Sequence, residues 1–252
     1  MMHRGSFLAT KILMYLFITA AFAVLGAQAG HASALIVTSS DNDAALEYNP
    51  TSGEFQFVFT QGGPLMQPEG ITFNEIEEAF ISSSLTDQVL AYRGATAEFL
   101  GVFVTAGSGG LDFPTKLDFG PDGNLYVASF GSDEILRYDG NTGDFIDAFV
   151  TAGSGGLDGP SSFIFDSNGN LFVTSKNSDE VIRYNNQGEF VEVLVTSGSG
   201  GLDEPSDLVF FDANMFVASE GSDEILQYNR NSGAFIGAFI TAGLAGLDAP
   251  SC

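Results

Sequence analysis

The chain has 252 residues with 32 acidic and 8 basic side chains, which gives a formal charge of −24. This balance disfavours nucleic acids and anionic membranes as partners, because both require a basic surface, and it favours cations or basic partners. Hydrophobic residues make up 44% of the chain and include 24 Phe, so the chain can build a large core. Cys252 is the single cysteine of the sequence, which excludes an internal disulfide.

The first 34 residues predict a secretory signal peptide. Arg4 and Lys11 supply positive charge, Ile12–Leu25 is apolar, and small residues at Ala27–Ala29 or Ala32–Ala34 suit cleavage. The apolar stretch is short for a membrane span of about 20 residues, so cleavage is favoured over an uncleaved anchor. We therefore expect a secreted or periplasmic protein with no stable membrane span after cleavage. Its single domain covers residues 35–252, where 32 acids face six basic residues, a formal charge of −26.

One phrase organises the rest of the chain. TAGSGGLD stands at Thr105–Asp112 and Thr151–Asp158, and it returns as TSGSGGLD at Thr196–Asp203 and TAGLAGLD at Thr241–Asp248. The spacings are 46, 45 and 45 residues. A period in this range indicates a solenoid, a propeller or another repeat array.

Each repeat contains four short runs rich in Val, Ile, Phe and Tyr. In one repeat they lie at Leu117–Phe119, Leu125–Ser129, Glu134–Tyr138 and Phe145–Val150, with Gly, Asn, Asp and Ser between them. Such runs are typical of strands joined by tight turns, and no sustained helical period occurs. Four strands in about 45 residues predict an all-β fold, a β-propeller of four-stranded blades.

The repeat is compatible with more than one number of blades. Complete units begin at the four repeated prolines Pro68, Pro114, Pro160 and Pro205. Residues 35–60 supply strands two to four of a partial N-terminal blade, whose first strand we expect from the other end of the chain. The sequence stops at Pro250–Cys252, where that strand would begin. Two alternatives stay open, a five-bladed ring that closes imperfectly and a truncated version of a larger propeller.

Two sets of repeated aspartates are the candidate metal ligands. One set lies in the link between blades and the other between strands two and three, and both links are expected on one face. The candidates are Asp112, Asp158, Asp203, Asp133, Asp179 and Asp223, with Asp248, Asp87 and Asp43 as further members. Rings of carboxylates would suit Ca²⁺, which takes six to eight oxygen ligands. We favour turn capping instead, since a residue repeated in every blade serves the shared fold.

No catalytic residue can be named. The histidines are His3 and His31, so the predicted propeller has no Ser-His-Asp triad and no histidine metal site. Serines such as Ser129 at the end of strand two therefore lack an activating base. The tyrosine of strand three, such as Tyr138, is expected to pack between blades. The acids that break the repeat, and so remain candidates for carboxylate chemistry, are Asp118, Asp207 and Glu69.

The repeat resembles the NHL-repeat propellers, chiefly through GPDGNLYVAS at Gly120–Ser129, over residues 35–250. It is also similar to the wider group of streptogramin (virginiamycin B) lyases and gluconolactonase-like propellers. The lyase resemblance implies a metal-assisted elimination with a catalytic histidine, which this propeller lacks, and a Trp where Tyr126, Phe172 and Phe216 stand. The gluconolactonase-like resemblance implies acid and amide ligands for a divalent ion, and no set of four matches. NHL propellers imply binding platforms, whose RNA-binding members are basic.

The near-identity of the repeats favours a scaffold, because an enzyme's site breaks the symmetry of its fold. We expect a secreted, non-catalytic and monomeric propeller that binds a protein or glycan ligand. No cofactor is expected, with Ca²⁺ support left open. The alternative is a metal-dependent lyase or lactonase-like hydrolase with a site at the central channel.

Overall fold

The computed structural model describes residues 22–25, 34–60 and 62–251. These residues form five sheets, each of four consecutive antiparallel strands, and the sheets are the blades of a propeller. The all-β propeller predicted from the repeat is confirmed. Within the described residues, no helix is long and apolar enough to cross a membrane.

The blades follow the chain in order. Blade 1 has β1 (Phe22–Leu25), β2 (Ala34–Ser39), β3 (Ala44–Tyr48) and β4 (Phe55–Val58). Blade 2 has β5 (Pro68–Phe73), β6 (Glu78–Ser83), β7 (Gln88–Arg93) and β8 (Phe99–Val104). Blade 3 has β9 (Pro114–Phe119), β10 (Leu125–Ser129), β11 (Glu134–Tyr138) and β12 (Phe145–Val150). Blade 4 has β13 (Pro160–Phe165), β14 (Leu171–Ser175), β15 (Glu180–Tyr184) and β16 (Phe190–Val195). Blade 5 has β17 (Pro205–Phe211), β18 (Asn214–Ser219), β19 (Glu224–Asn229) and β20 (Phe235–Ile240).

Blade 1 differs from its prediction. Its inner strand β1 comes from the N-terminal side of the chain and pairs antiparallel with β2, Phe22 facing Val37 and Leu25 facing Ala34. The expectation that this strand comes from the other end of the chain was therefore wrong. The apolar run that predicts the signal peptide also suits a strand, and cleavage at either predicted site would remove β1. The signal peptide itself stays a prediction.

Four apolar cores hold neighbouring blades together. We call the face that a blade turns to the next blade its leading face, and the opposite one its trailing face. Between blades 3 and 4, Tyr126 and Phe149 of the leading face meet Leu171, Val173 and Tyr184 of the trailing face. Equivalent cores join blades 1 and 2, 2 and 3, and 4 and 5. Burial of each large apolar side chain stabilises the folded state by about 1.5–3 kcal/mol. Because an internal blade packs against a neighbour on each side, its strands are apolar on both faces.

The repeated phrase forms the link that carries the chain from one blade to the next. In its second copy, Gly155 lies in the left-handed region at φ 65°, and an added Cβ would stand 2.0 Å from the ring of Phe190 in blade 4. The buried Tyr184 hydroxyl donates to the Ser154 carbonyl at 2.7 Å. The glycine therefore lets the link lie flat on an aromatic ring, and the tyrosine fixes it there.

These tyrosines make stability sensitive to alkaline pH. Burial raises the pKa of Tyr92 to about 12 and also raises the pKa values of Tyr138, Tyr184 and Tyr228. A tyrosine whose pKa is higher in the folded state than in the unfolded state stabilises the fold fully below its unfolded-state pKa of about 10. That stabilisation is lost as the pH rises from about 10 through the folded-state pKa. We expect the free energy of unfolding to fall above pH ~10 by up to about 1.4 kcal/mol per pH unit for each tyrosine.

Urea unfolding at a series of pH values from about 8 to 11 measures this loss. Tyr184→Phe should make the decline shallower by one tyrosine's share, and it should cost about 1 kcal/mol at neutral pH because the Ser154 carbonyl loses its donor. An unchanged slope in Tyr184→Phe would contradict the assignment.

Candidate functional site

The aspartates between strands two and three bind the next blade. Asp179 has φ 58°, and its Oδ1 accepts a hydrogen bond from the Glu204 N–H at 2.8 Å. Asp is one of the few residues that tolerates this conformation. The same bond recurs from Gln67 to Asp43 (2.7 Å), Phe113 to Asp87 (2.9 Å), Gly159 to Asp133 (2.7 Å) and Ala249 to Asp223 (2.8 Å). The two kinds of link therefore touch, which places them on one face.

The aspartates of the repeated phrase contact the serine at the end of strand two through their backbone. The N–H of Asp112 donates to the hydroxyl of Ser129 at 3.0 Å, and that hydroxyl lies 3.1 Å from the Asp112 carbonyl. Asp158 with Ser175 and Asp203 with Ser219 repeat this pair of bonds. The serine at the end of strand two is thus wholly buried and bonded, which suits a structural role.

The predicted calcium ligands are spread over separate blade-to-blade contacts. One carboxylate oxygen in each of Asp133, Asp179 and Asp223 already accepts a hydrogen bond from a backbone N–H of the next link. Among the described residues, no group of three or more His, Cys, Asp or Glu side chains is placed to hold a metal ion. These bonds support turn capping with an added inter-blade role, and calcium binding stays a prediction.

A cavity of about 560 Å³ opens at the centre of the ring on the same face. Residues of all five blades line it, including Ser40, Glu69, Phe130, Lys176 and Glu220. We call this region the channel mouth. It is the place where the blades converge on one volume large enough for a ligand group.

Hydroxyl groups close the inner wall of the mouth. Thr115 donates to the Pro160 carbonyl at 3.1 Å, and Ser161 donates to the Pro205 carbonyl at 2.7 Å. These residues follow the repeated proline, and in blade 2 that position is held by Glu69 instead. At this position the hydroxyls of Thr115 and Ser161 join neighbouring blades, whereas Glu69 adds a carboxyl group to the lining of the mouth.

The mouth carries the charges that break the repeat. Lys176 Nζ lies 2.6 Å from Glu220 and 3.9 Å from Glu204. Glu69 receives only long hydrogen bonds from Gln67 (3.3 Å) and Ser40 (3.4 Å), and burial raises its pKa. Lys176 is therefore neutralised by its own neighbours, while Glu69 lacks a close basic partner among the bonds described.

The other two asymmetric acids have structural places. Asp118 accepts a hydrogen bond from Thr72 of the preceding blade at 2.9 Å. Asp207, which is buried, accepts one from Ser162 at 2.6 Å. Both tie neighbouring inner strands together, so Glu69 alone of the three predicted acids lines the mouth.

Sequence reasoning missed Lys176 and Glu220. The residue after the last serine of strand two is Ser40, Ser84, Phe130, Lys176 and Glu220 in successive blades. Four of these five line the mouth, with Ser84 as the exception. The signal was present as a position at which otherwise similar repeats disagree.

No protein-family model and no curated protein matches the chain. Solved structures share its fold. One is a chain of a nidogen/laminin complex, with a TM-score of 0.71 and 16% identity over 89% of this chain and 80% of that one. Another is a catalytically inactive histidine-to-alanine variant of virginiamycin B lyase from Staphylococcus aureus with quinupristin, at 0.62 and 13%, covering 83% and 67%. A streptogramin B lyase gives 0.60 and 14%, covering 83% and 65%. The resemblance to these propellers is confirmed for the fold.

Proposed function

We propose that this protein is a secreted or periplasmic, non-catalytic binding scaffold whose channel mouth receives a basic group of its partner. The observation that carries this proposal is the divergence of the repeats at the mouth. The contacts of the repeated aspartates and tyrosines recur from blade to blade. At the mouth the equivalent positions hold Ser40, Phe130, Lys176 and Glu220.

The charge of the mouth specifies the chemistry of the partner. Asp41, Glu69 and Glu220 face one lysine, Lys176, which is already paired. An acidic cavity in a chain of charge −24 raises the local concentration of cationic groups. The edge-to-face rings of Phe113 and Phe130, 6.0 Å apart, add an apolar wall that suits the stem of a Lys or Arg side chain.

Two observations on the solved neighbours support the choice of binding in this proposal. One belongs to a protein complex, of nidogen with laminin. The lyase is catalytically inactive when a histidine is replaced by alanine, and this chain has no histidine after His31. No observation on the channel mouth specifically favours the lyase or lactonase alternative.

Saturation-transfer NMR of the purified protein tests the proposal, with matched lysine-rich, norleucine-rich and glycan probes. We expect lysine-rich peptides to bind and the affinity to fall with salt. Glu220→Gln and Glu69→Gln should each weaken binding by about tenfold or more, since a hydrogen bond to a charged group contributes about 1.5–3 kcal/mol. Glu192→Gln, on an outer strand, should bind like the wild type.

Two results would overturn the proposal. One is equal binding of the lysine-rich and norleucine-rich peptides by all variants, which would place recognition elsewhere. The other is turnover of a lactone panel that disappears with EDTA, which would make the protein an enzyme.

A further inference from the structure

The lysine of the channel mouth belongs to an ion pair that joins two blades. Lys176 follows β14 in blade 4 and Glu220 follows β18 in blade 5, and the Lys176 Nζ donates to the Glu220 carboxylate at 2.6 Å. By contrast, Arg137 and Asp147 form a pair between neighbouring strands of one blade. Because Lys176 and Glu220 both line the mouth, their pair lies on the wall of the cavity and not within a sheet.

Backbone bonds, and not this ion pair, hold the two residues in the fold. At the same position of blades 2 to 5, the backbone N–H donates to a carbonyl of the link that enters the blade, whatever the side chain is. The bonds are Ser84 to Gln67 (3.2 Å), Phe130 to Phe113 (3.2 Å), Lys176 to Gly159 (2.9 Å) and Glu220 to Glu204 (3.2 Å). The side chain at this position can therefore serve a purpose other than folding.

A second acid lies near the same ammonium group. Glu204 Oε2 is 3.9 Å from Lys176 Nζ, and the Glu204 side chain is 55% exposed, against 28% for Glu220. The Glu204 backbone is fixed, since its N–H donates to Asp179 at 2.8 Å. Lys176 therefore has a close partner inside the mouth and a second, more exposed acid at its rim.

The ammonium group of Lys176 occupies an acid that an entering basic group would use. Among the described residues that line the mouth, Lys176 is the one basic side chain. Burial raises the pKa of Glu69, the charge of Lys176 lowers it and the charge of Glu220 raises it, so these groups act on one another across the cavity. An entering cation must therefore share Glu220 with Lys176 or displace it.

We propose that Lys176 is an internal occupant of the site for the partner's basic group, and that it moves from Glu220 to Glu204 when that group binds Glu220. This inference rests on the proposed function and adds a displacement step to it. Lys176 would exchange a 2.6 Å contact with a partly buried acid for a contact with a more exposed one, where ion pairs contribute less. The displacement therefore lowers the affinity for the partner, while Glu204 limits that loss.

A double-mutant cycle tests the displacement. Isothermal titration calorimetry with a lysine-rich peptide gives the dissociation constants of the wild type, Lys176→Met, Glu204→Gln and the double variant. We expect Lys176→Met to bind about fivefold more tightly, because it removes the competing ammonium and keeps an apolar stem. Glu204→Gln should weaken binding about threefold in the wild type and less than about 1.5-fold in Lys176→Met, which has no displaced ammonium for Glu204 to receive.

Asp203→Asn is the matched control, because it removes one negative charge from the residue next to Glu204. Such a charge acts through long-range attraction alone, so its effect should be the same with Lys176 present or replaced. If the effect of Glu204→Gln is also the same in both backgrounds, Glu204 is only an attracting charge and the displacement is overturned.

The wild type offers a direct measurement that needs no stability in a variant of the mouth. Reductive methylation with ¹³C-formaldehyde labels lysine side chains and keeps their charge, and the NMR signal of Lys176 is assigned by its loss in Lys176→Met. We expect this signal to shift when an unlabelled lysine-rich peptide is added, and to stay in place with the matched norleucine-rich peptide.

The outcomes separate this inference from the function on which it rests. A lysine-rich peptide that binds and is weakened by Glu220→Gln, while the Lys176 signal stays in place, would overturn the displacement and leave the basic-group site standing. Binding to Lys176→Met but not to the wild type would support the displacement in its strongest form. Binding to neither protein would overturn both the displacement and the basic-group site.

Discussion

Replacing Gly155 with alanine is expected to lower the free energy of unfolding by about 3 kcal/mol, from two separate causes. The left-handed conformation at φ 65° costs a residue with a Cβ about 1–2 kcal/mol. The new Cβ would also stand 2.0 Å from the Phe190 ring, and displacing a packed ring costs about 1–3 kcal/mol more. Urea unfolding followed by circular dichroism measures the loss.

The chain contains its own control for this prediction. Ala245 holds the equivalent position in the fourth copy of the phrase, also in the left-handed region, at φ 55°. Ala245→Gly should leave stability unchanged or raise it by up to about 1 kcal/mol, because it removes backbone strain. A Gly155→Ala variant that unfolds at the wild-type urea midpoint would show that the aromatic contact does not set the choice of glycine.

The fold could be predicted because its determinants are local and repeated. The run LYVAS was placed at Leu125–Ser129, and β10 has these bounds. Each strand is bounded by its own turn residues, and four copies of the pattern remove the ambiguity of any single one. The inner strand of blade 1 was missed because Phe22–Leu25 occurs once, and a lone apolar run near the N-terminus is typical of a signal peptide.

The roles of the repeated polar residues could be predicted only in part. A turn-capping Asp is a local inference, but the bond from Glu204 to Asp179 joins residues 25 positions apart in different blades. The same holds for the hydroxyl of Tyr184, which reaches Ser154 in the link 30 positions away. Spacing along a sequence gives the period of a repeat, and the partner across the blade interface becomes visible only in three dimensions.

The candidate site was missed for a different reason. The candidate metal ligands were residues that the repeats share, whereas Lys176 and Glu220 occupy a position at which the repeats differ. A scaffold needs its shared residues in every blade, so recognition is left to positions that the fold does not constrain. Glu69 was singled out by this argument, and it lines the mouth together with both missed residues.

The contact that ties each blade to the next should be the most sensitive of the repeated polar groups. Asp179→Ala is expected to cost about 3 kcal/mol, since it loses a hydrogen bond to a carboxylate and places alanine in the left-handed region at φ 58°. Asp179→Asn retains an oxygen acceptor and the tolerance for this conformation, so it should cost about 1 kcal/mol or less. Chemical denaturation of the three proteins gives the comparison.

Asp203→Ala is the matched control, and it also tests the calcium hypothesis. The Asp203 side chain is exposed and its backbone makes the bonds to Ser219, so the change should stay within about 0.5 kcal/mol. If the two aspartate sets held Ca²⁺, millimolar Ca²⁺ would raise the melting temperature of the wild type, and Asp179→Ala and Asp203→Ala would both lose that rise. If they join blades instead, Ca²⁺ changes nothing and stability is lost in Asp179→Ala alone, because the carboxylate that matters is the one that accepts the Glu204 N–H.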